Sequence, residues 1–113
     1  MNIDYRIVIS DFERNFSRLR DWPERKVIYD LTAFLDHNYN FAASLVDIII
    51  AKLVSPTTNQ AFKVPVFYLI DSIITKIKDP YVQIFTPHII ELFKITYEFV
   101  IKYTCIYLDF FLL

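Results

Sequence analysis

The chain contains 113 residues with a formal net charge of −1, 55 % hydrophobic residues and 18 % aromatic residues. This length predicts a single domain spanning residues 1–113, and the small net charge argues against a general nucleic-acid-binding protein, which needs a large basic surface. The chain has no glycine, which argues against nucleotide-binding loops, because these need residues without a Cβ where the backbone approaches a phosphate.

Proline, asparagine and acidic residues divide the first half of the chain into three predicted helices. The first runs from Asp4 to Arg18, and the second begins at Pro23, where acids on both sides of a proline make a good helix start. The third runs from Phe41 to Val54 and ends at the loop of residues 55–59. The residues predicted to face the core are Ile7, Phe12, Phe16 and Leu19, then Val27, Ile28, Leu31, Phe34 and Leu35, then Phe41, Leu45, Ile48, Ile49 and Leu53.

The fourth predicted helix, from Val64 to the break at Asp79-Pro80, has two different faces. Pro65 fits only in its first turn or at a kink. An apolar stripe predicted to pack in the core is formed by Val66, Leu69, Ile70, Ile73 and Ile77. A second face, displaced from that stripe, carries Tyr68, Asp71, Thr75 and Lys78. From this pattern alone, Asp71 is either a solvent-exposed helix acid or a contact to a ligand.

Prolines also define the helices expected in the last third of the chain. A short fifth helix fits between Pro80 and Phe85, and Thr86-Pro87 begins a sixth helix that runs to about Lys102. At both prolines the preceding side chain is expected to cap the helix. The apolar ending, from Tyr107 to Leu113, is expected either to begin a seventh helix or to be an altered terminus. No strand-like alternation of useful length competes, so the predicted fold class is all-α.

No residue pattern indicates catalysis, a cofactor or a metal site. His37 and His88 have no carboxylate or cysteine at metal-ligand spacing, and the single Cys105 is expected to be a buried, inert thiol. Neither a signal peptide nor a membrane span is indicated, because charged residues interrupt every apolar segment before about 18 residues. We therefore expect an intracellular soluble protein that is not an enzyme and needs no cofactor.

The segment from Val64 to Ile73, followed by Pro80 and Tyr81, resembles the CTD-interacting domain, which binds the heptad-repeat tail of the largest subunit of RNA polymerase II. Weaker similarity covers Tyr29 to Leu35 and extends downstream to Val100. The likeness is strongest to the domain of a pre-mRNA cleavage and polyadenylation factor that also promotes transcription termination. The resemblance implies a nuclear protein and a right-handed superhelix of about seven to eight helices, related to ENTH and VHS domains, with an incomplete C-terminal helix.

The resemblance also implies which residues contact the peptide. Tyr68 and Asp71 correspond to the tyrosine and aspartate of the family's groove, and Ser72, Thr75 and Lys76 belong to the same stretch of the motif. In such a groove the carboxylate accepts hydrogen bonds from a peptide β-turn, while the tyrosine ring provides a flat contact surface with a polar tip. The implied peptide site therefore lies on the fourth helix.

Phosphate recognition is expected to differ from the usual pattern of the family. The basic residue that the family's seventh helix offers to a serine phosphate falls near Cys105 in this chain. The remaining candidates for anion contacts are Arg25, Lys26 and Lys102, together with Lys76 of the motif. We therefore expect a phosphopeptide-binding module whose preferred phosphorylation pattern is open.

The function implied is recognition of the polymerase II tail by a module that links transcription to pre-mRNA 3′-end cleavage, polyadenylation and termination. Expected partners are this tail, other 3′-end processing factors and a second copy of the chain through the apolar ending; an RNA contact stays open, and no membrane is expected. The alternative is a VHS- or ENTH-like trafficking adaptor that binds sorting peptides or lipid on the same scaffold. The segment from Met1 to Asp11 is a poor basic amphipathic leader, and the predicted groove carries the acid Asp71, so the polymerase interpretation is preferred.

Overall fold

The computed structural model describes residues 3–56, 58, 60–88, 90–92, 94, 95 and 97. Five α-helices have defined bounds: α1 (Ile3–Phe16), α2 (Arg25–His37), α3 (Ala42–Val54), α4 (Gln60–Lys76) and α5 (Tyr81–Phe85). Short 3₁₀ helices occupy Tyr39–Phe41 and Thr86–His88, and the described residues between 90 and 97 are helical as well. No strand occurs among these residues, so the predicted all-α fold is confirmed. The predicted seventh helix and the apolar ending lie outside the described residues.

One hydrophobic core joins the five helices. α2 packs along α4, α3 packs against α5, and α1 contacts both α2 and α3. The buried apolar side chains are Phe12, Phe16, Leu19, Val27, Leu31, Leu35, Ala42, Leu45, Val46, Ile49, Ile50, Leu53, Val66, Leu69, Ile70, Ile73, Tyr81 and Phe85. The predicted stripe of α4 is among them, with Ile77 partly buried against the same core. None of the described helices is long and apolar enough to cross a membrane.

Ile7 is wrongly predicted to be a core residue, since 53 % of its surface is exposed. The buried face of α1 is formed by Phe12 and Phe16, whose rings stack with centroids 5.3 Å apart. Val8 and Ile9 pack against the core in place of Ile7. Val8, Phe12 and Phe16 are spaced four apart and share one face of the helix. Ile7 lies one residue before Val8 and is therefore rotated by about 100° from that face.

Both ends of α4 differ from the prediction. The helix begins at Gln60, so Pro65 is its sixth residue and lies in the second turn, where it is fully buried, rather than in the first. The helix ends at Lys76, so Lys78 lies beyond it and adopts a left-handed conformation with φ of 71°. The Lys78 N–H donates to the carbonyl of Ile73 at 3.0 Å, a bond that closes the end of the helix.

Two of the proline-marked helix starts, those of α2 and α5, lack a side-chain cap. α2 begins two residues after Pro23, and its N-cap residue, Glu24, makes no side-chain capping bond. Pro80 is itself the N-cap residue of α5. The Thr86 hydroxyl donates to the carbonyl of Val82 at 2.7 Å, in the preceding turn. This bond uses the hydroxyl proton and leaves the Thr86 oxygen able to accept a backbone N–H, so the cap expected from Thr86 stays a prediction.

Two buried polar contacts hold α2 against its neighbours. The Thr32 hydroxyl donates to the carbonyl of Ile28 at 2.7 Å, so its oxygen accepts the proton of the Ser72 hydroxyl across the α2–α4 interface at 2.8 Å. The Tyr81 hydroxyl donates to the carbonyl of Leu35. Since Leu35 lies in the last turn of α2, Tyr81 satisfies one of the carbonyls that a helix end leaves without an intrahelical partner.

Candidate functional site

An open groove lies between the beginning of α2 and the outer face of α4. Its volume is about 450 Å³. The residues that line it are Pro23, Arg25, Ile28, Tyr29, Tyr68, Asp71, Ser72, Thr75 and Lys76. We refer to this site, defined by these nine residues, as the Asp71 groove. All five residues predicted to contact a peptide line it, together with one of the three predicted additional anion contacts.

The α4 wall of the groove follows from helical periodicity. Because Leu69, Ile70 and Ile73 are buried against α2 and α3, the positions between them point away from the core. Tyr68 is 55 % exposed, and Asp71 is exposed one turn further along the helix. Within the described part of the chain, the Asp71 carboxylate has neither a hydrogen bond nor an ion pair. It is therefore free to accept hydrogen bonds from a ligand.

Ser72 and Thr75 contribute hydroxyl oxygens whose protons are already used inside the fold. Ser72 is only 7 % exposed and donates to Thr32, as described above. The Thr75 hydroxyl donates to the carbonyl of Asp71 at 2.8 Å. Each hydroxyl therefore offers a ligand an accepting lone pair and no proton. This arrangement makes the groove rich in acceptors on its α4 side.

The α2 wall of the groove contains residues that sequence reasoning missed. Tyr29 is 65 % exposed and faces the groove beside the partly buried Ile28, with Pro23 at the near end. Helical periodicity indicates that Tyr29 is exposed, because it falls between the buried positions Val27 and Leu31, but it does not indicate that Tyr29 faces α4. Two exposed tyrosines thus stand on facing helices, a composition typical of surfaces that bind peptides.

The predicted cationic residues are divided by the structure. Arg25 and Lys76 line the groove, and neither forms an ion pair with any described residue. Lys26 lies outside the groove lining, and its ammonium group pairs with the Asp30 carboxylate at 3.3 Å. Lys102 lies outside the described residues. The groove thus combines one uncompensated carboxylate with two uncompensated cations.

The architecture and the groove define a class of protein: an all-helical protein-interaction domain with a peptide-sized site between two packed helices. The sequence model of the CID domain family matches residues 10–103, which is most of the chain, and the chain belongs to this family. CID domains are protein-interaction domains that bind the C-terminal tail of RNA polymerase II, and they are not an enzyme family. No curated protein and no solved structure gives a significant match to the chain.

Proposed function

We propose that the Asp71 groove binds the heptad-repeat tail of RNA polymerase II, and that this binding links transcription to pre-mRNA 3′-end cleavage, polyadenylation and termination in the nucleus. The observation that carries the proposal is the exposed Asp71 carboxylate, which stands beside Tyr68 without a partner among the described residues. An ionised acid in this position is suited to the backbone N–H groups of a peptide turn, because charge-assisted hydrogen bonds are stronger than neutral ones.

The cations of the groove support recognition of a phosphorylated tail. Arg25 enters from the start of α2, and Lys76 enters from the end of α4. A phosphate near Arg25 would gain a guanidinium contact, which can be bidentate, and a phosphate near Lys76 would gain an ammonium contact. This pair can take the role of the basic residue that the family carries on its seventh helix.

The affinity should be modest. A short flexible peptide loses conformational freedom on binding, and contacts to exposed charges are screened by salt. We expect a Kd on the order of 10 to 100 µM, which corresponds to a free energy of about 5.5 to 7 kcal/mol.

The test is a fluorescence anisotropy titration with two-repeat tail peptides, one unphosphorylated and one phosphorylated at the second serine. The variant Asp71→Asn keeps the shape of the side chain and removes its charge. Hydrogen bonds to a charged group contribute about 1.5 to 3 kcal/mol, and the exposed position of Asp71 favours the lower end. We expect about ten-fold weaker binding.

Asp47→Asn is the matched control, because Asp47 is an exposed acid on α3 outside the groove and its substitution changes the net charge equally. Saturable binding by the wild type and by Asp47→Asn, with a clear loss in Asp71→Asn, would support the proposal. Wild-type protein that binds neither peptide would refute it and favour the trafficking-adaptor alternative. Equal affinity of the two variants would show that the peptide binds elsewhere.

A further inference from the structure

The Asp71 groove does not end at Lys76 but continues along α2 through two further hollows. The first has a volume of about 210 Å³ and shares Tyr29 and Lys76 with the groove. The second has a volume of about 480 Å³ and shares Asp36 and Ile77 with the first. We refer to these two hollows together as the Asp36 extension. Its further lining residues are Thr32, Ala33, Tyr39, Asp79, Pro80 and Gln83.

The combined trough is long enough for more than one peptide turn. Arg25 and Asp36 mark its limits on α2 and are eleven positions apart, which is about 16 Å at the rise of an α-helix. An extended peptide advances about 3.3 Å per residue, so about five residues fit along this length. The trough then continues beyond Asp36 toward Tyr39, which is 57 % exposed. A peptide that turns at Asp71 therefore has an open path along α2.

The two parts of the trough differ in charge. The Asp71 groove carries the cations Arg25 and Lys76 beside its single acid. The far end of the Asp36 extension carries two exposed acids, Asp36 and Asp79, and none of the described residues that line that hollow is a lysine or an arginine. Neither acid forms an ion pair with a described residue. A phosphate placed there would meet repulsion from both carboxylates, whereas an uncharged or basic segment would not.

We propose that the Asp36 extension holds the next residues of the same peptide and that its second hollow accepts them only without phosphate. This inference rests on the proposed function, since the occupant is the continuation of the chain bound at Asp71. Two observations favour this occupant. The extension is continuous with the Asp71 groove, and its acidic far end suits a peptide segment without phosphate. The domain then distinguishes a tail phosphorylated at one position from a tail phosphorylated at both ends of the bound segment.

The first experiment measures the length of the site with three labelled peptides of equal length. The first peptide has two intact tail repeats. The second has a single repeat followed by a Gly-Ser spacer, and the third has the same spacer followed by a single repeat. The intact peptide can place either of its two repeats in the groove, and this choice by itself tightens binding at most two-fold. We expect the intact peptide to bind at least about five-fold more tightly than one of the spacer peptides. Affinities that agree within two-fold for all three would overturn the inference while leaving the proposed function intact.

The second experiment locates the phosphate-excluding end. A single phosphoserine is moved along the two-repeat peptide, and binding is measured with wild type, Asp36→Asn and the control Asp47→Asn. At the position that reaches the extension, phosphate should weaken wild-type binding about three-fold, a size typical of an exposed charge contact. Asp36→Asn should recover about half of that loss, because Asp79 remains, and Asp47→Asn should recover none. A phosphate penalty that is equal in all three proteins would overturn the inference, and an absence of binding to every peptide would overturn the proposed function with it.

Discussion

Replacing Tyr81 by phenylalanine tests the contact that joins α5 to the end of α2. The tyrosine is fully buried, and its hydroxyl donates to the carbonyl of Leu35. Tyr81→Phe keeps the buried ring but removes the hydroxyl donor. The Leu35 carbonyl then loses this hydrogen bond in the interior of the domain. The loss of a buried hydrogen bond with one partner left unpaired costs about 1 to 3 kcal/mol.

For a chain of 113 residues, each kcal/mol lowers the melting temperature by roughly 4 °C. We therefore expect Tyr81→Phe to melt about 4 to 12 °C below the wild type when unfolding is followed by circular dichroism. Tyr39→Phe is the matched control, because Tyr39 is exposed and its hydroxyl should contribute less than about 0.5 kcal/mol. A Tyr81→Phe variant that unfolds within 0.5 kcal/mol of the wild type, as estimated from about 2 °C in melting temperature, would refute this account of the α2–α5 contact.

The same hydroxyl predicts an alkaline pH dependence. Burial raises the pKa of Tyr81 well above its usual value, and the nearby charge of Asp36 raises this pKa further. The folded protein therefore keeps a proton that the unfolded chain releases above a pH of about 10, so stability falls as the pH rises past that value. Tyr81→Phe should lack this part of the alkaline loss, and urea unfolding between about pH 8 and 11 would measure the difference. A parallel loss in both proteins would contradict the assignment to Tyr81.

Two further predictions concern the groove and its support. Arg25→Gln and Lys76→Gln should each weaken binding of the phosphorylated tail peptide about three-fold and reduce its salt dependence, while Lys26→Gln should change neither in the same anisotropy titration. A Lys26→Gln effect as large as the other two would contradict the placement of the anion contacts. Thr32→Val should destabilise the domain by about 1 to 3 kcal/mol, because the Ser72 hydroxyl loses its buried acceptor. The double variant with Ser72→Ala should cost less than the sum of the single changes in urea unfolding, and strict additivity would show that the two hydroxyls are not coupled.

Much of the fold could be predicted from the chain because its determinants are local. Helical periodicity identified the buried stripe of α4 and placed Tyr68 and Asp71 outside it. The start of α4 was predicted less well, because the bounds of a helix depend on packing as well as on local residue preferences. Pro65 was expected in the first turn or at a kink, yet α4 begins a full turn before the predicted start and buries the proline in its second turn.

The candidate site was only half predictable from the chain. The α4 wall was expected from the motif, but Tyr29 on the α2 wall was missed, because no local pattern shows which exposed face of α2 meets α4. The sequence also did not show which of Arg25 and Lys26 would line the groove. These residues are adjacent in sequence. The pair between Lys26 and Asp30 is a local i,i+4 contact within α2, whereas the position of Arg25 in the groove depends on how α2 packs against α4.

The sequence by itself determined an all-helical domain, the buried stripe of α4 and the side of α4 that is available to a ligand. Residues three and four apart share a helix face in any fold. The tertiary structure alone decided that Ser72 would be bonded to Thr32, forty residues away, and that the Asp71 groove would continue toward Asp36. Both depend on how α2 lies along α4. That arrangement is set by the joint packing of the core and by no short segment of the chain.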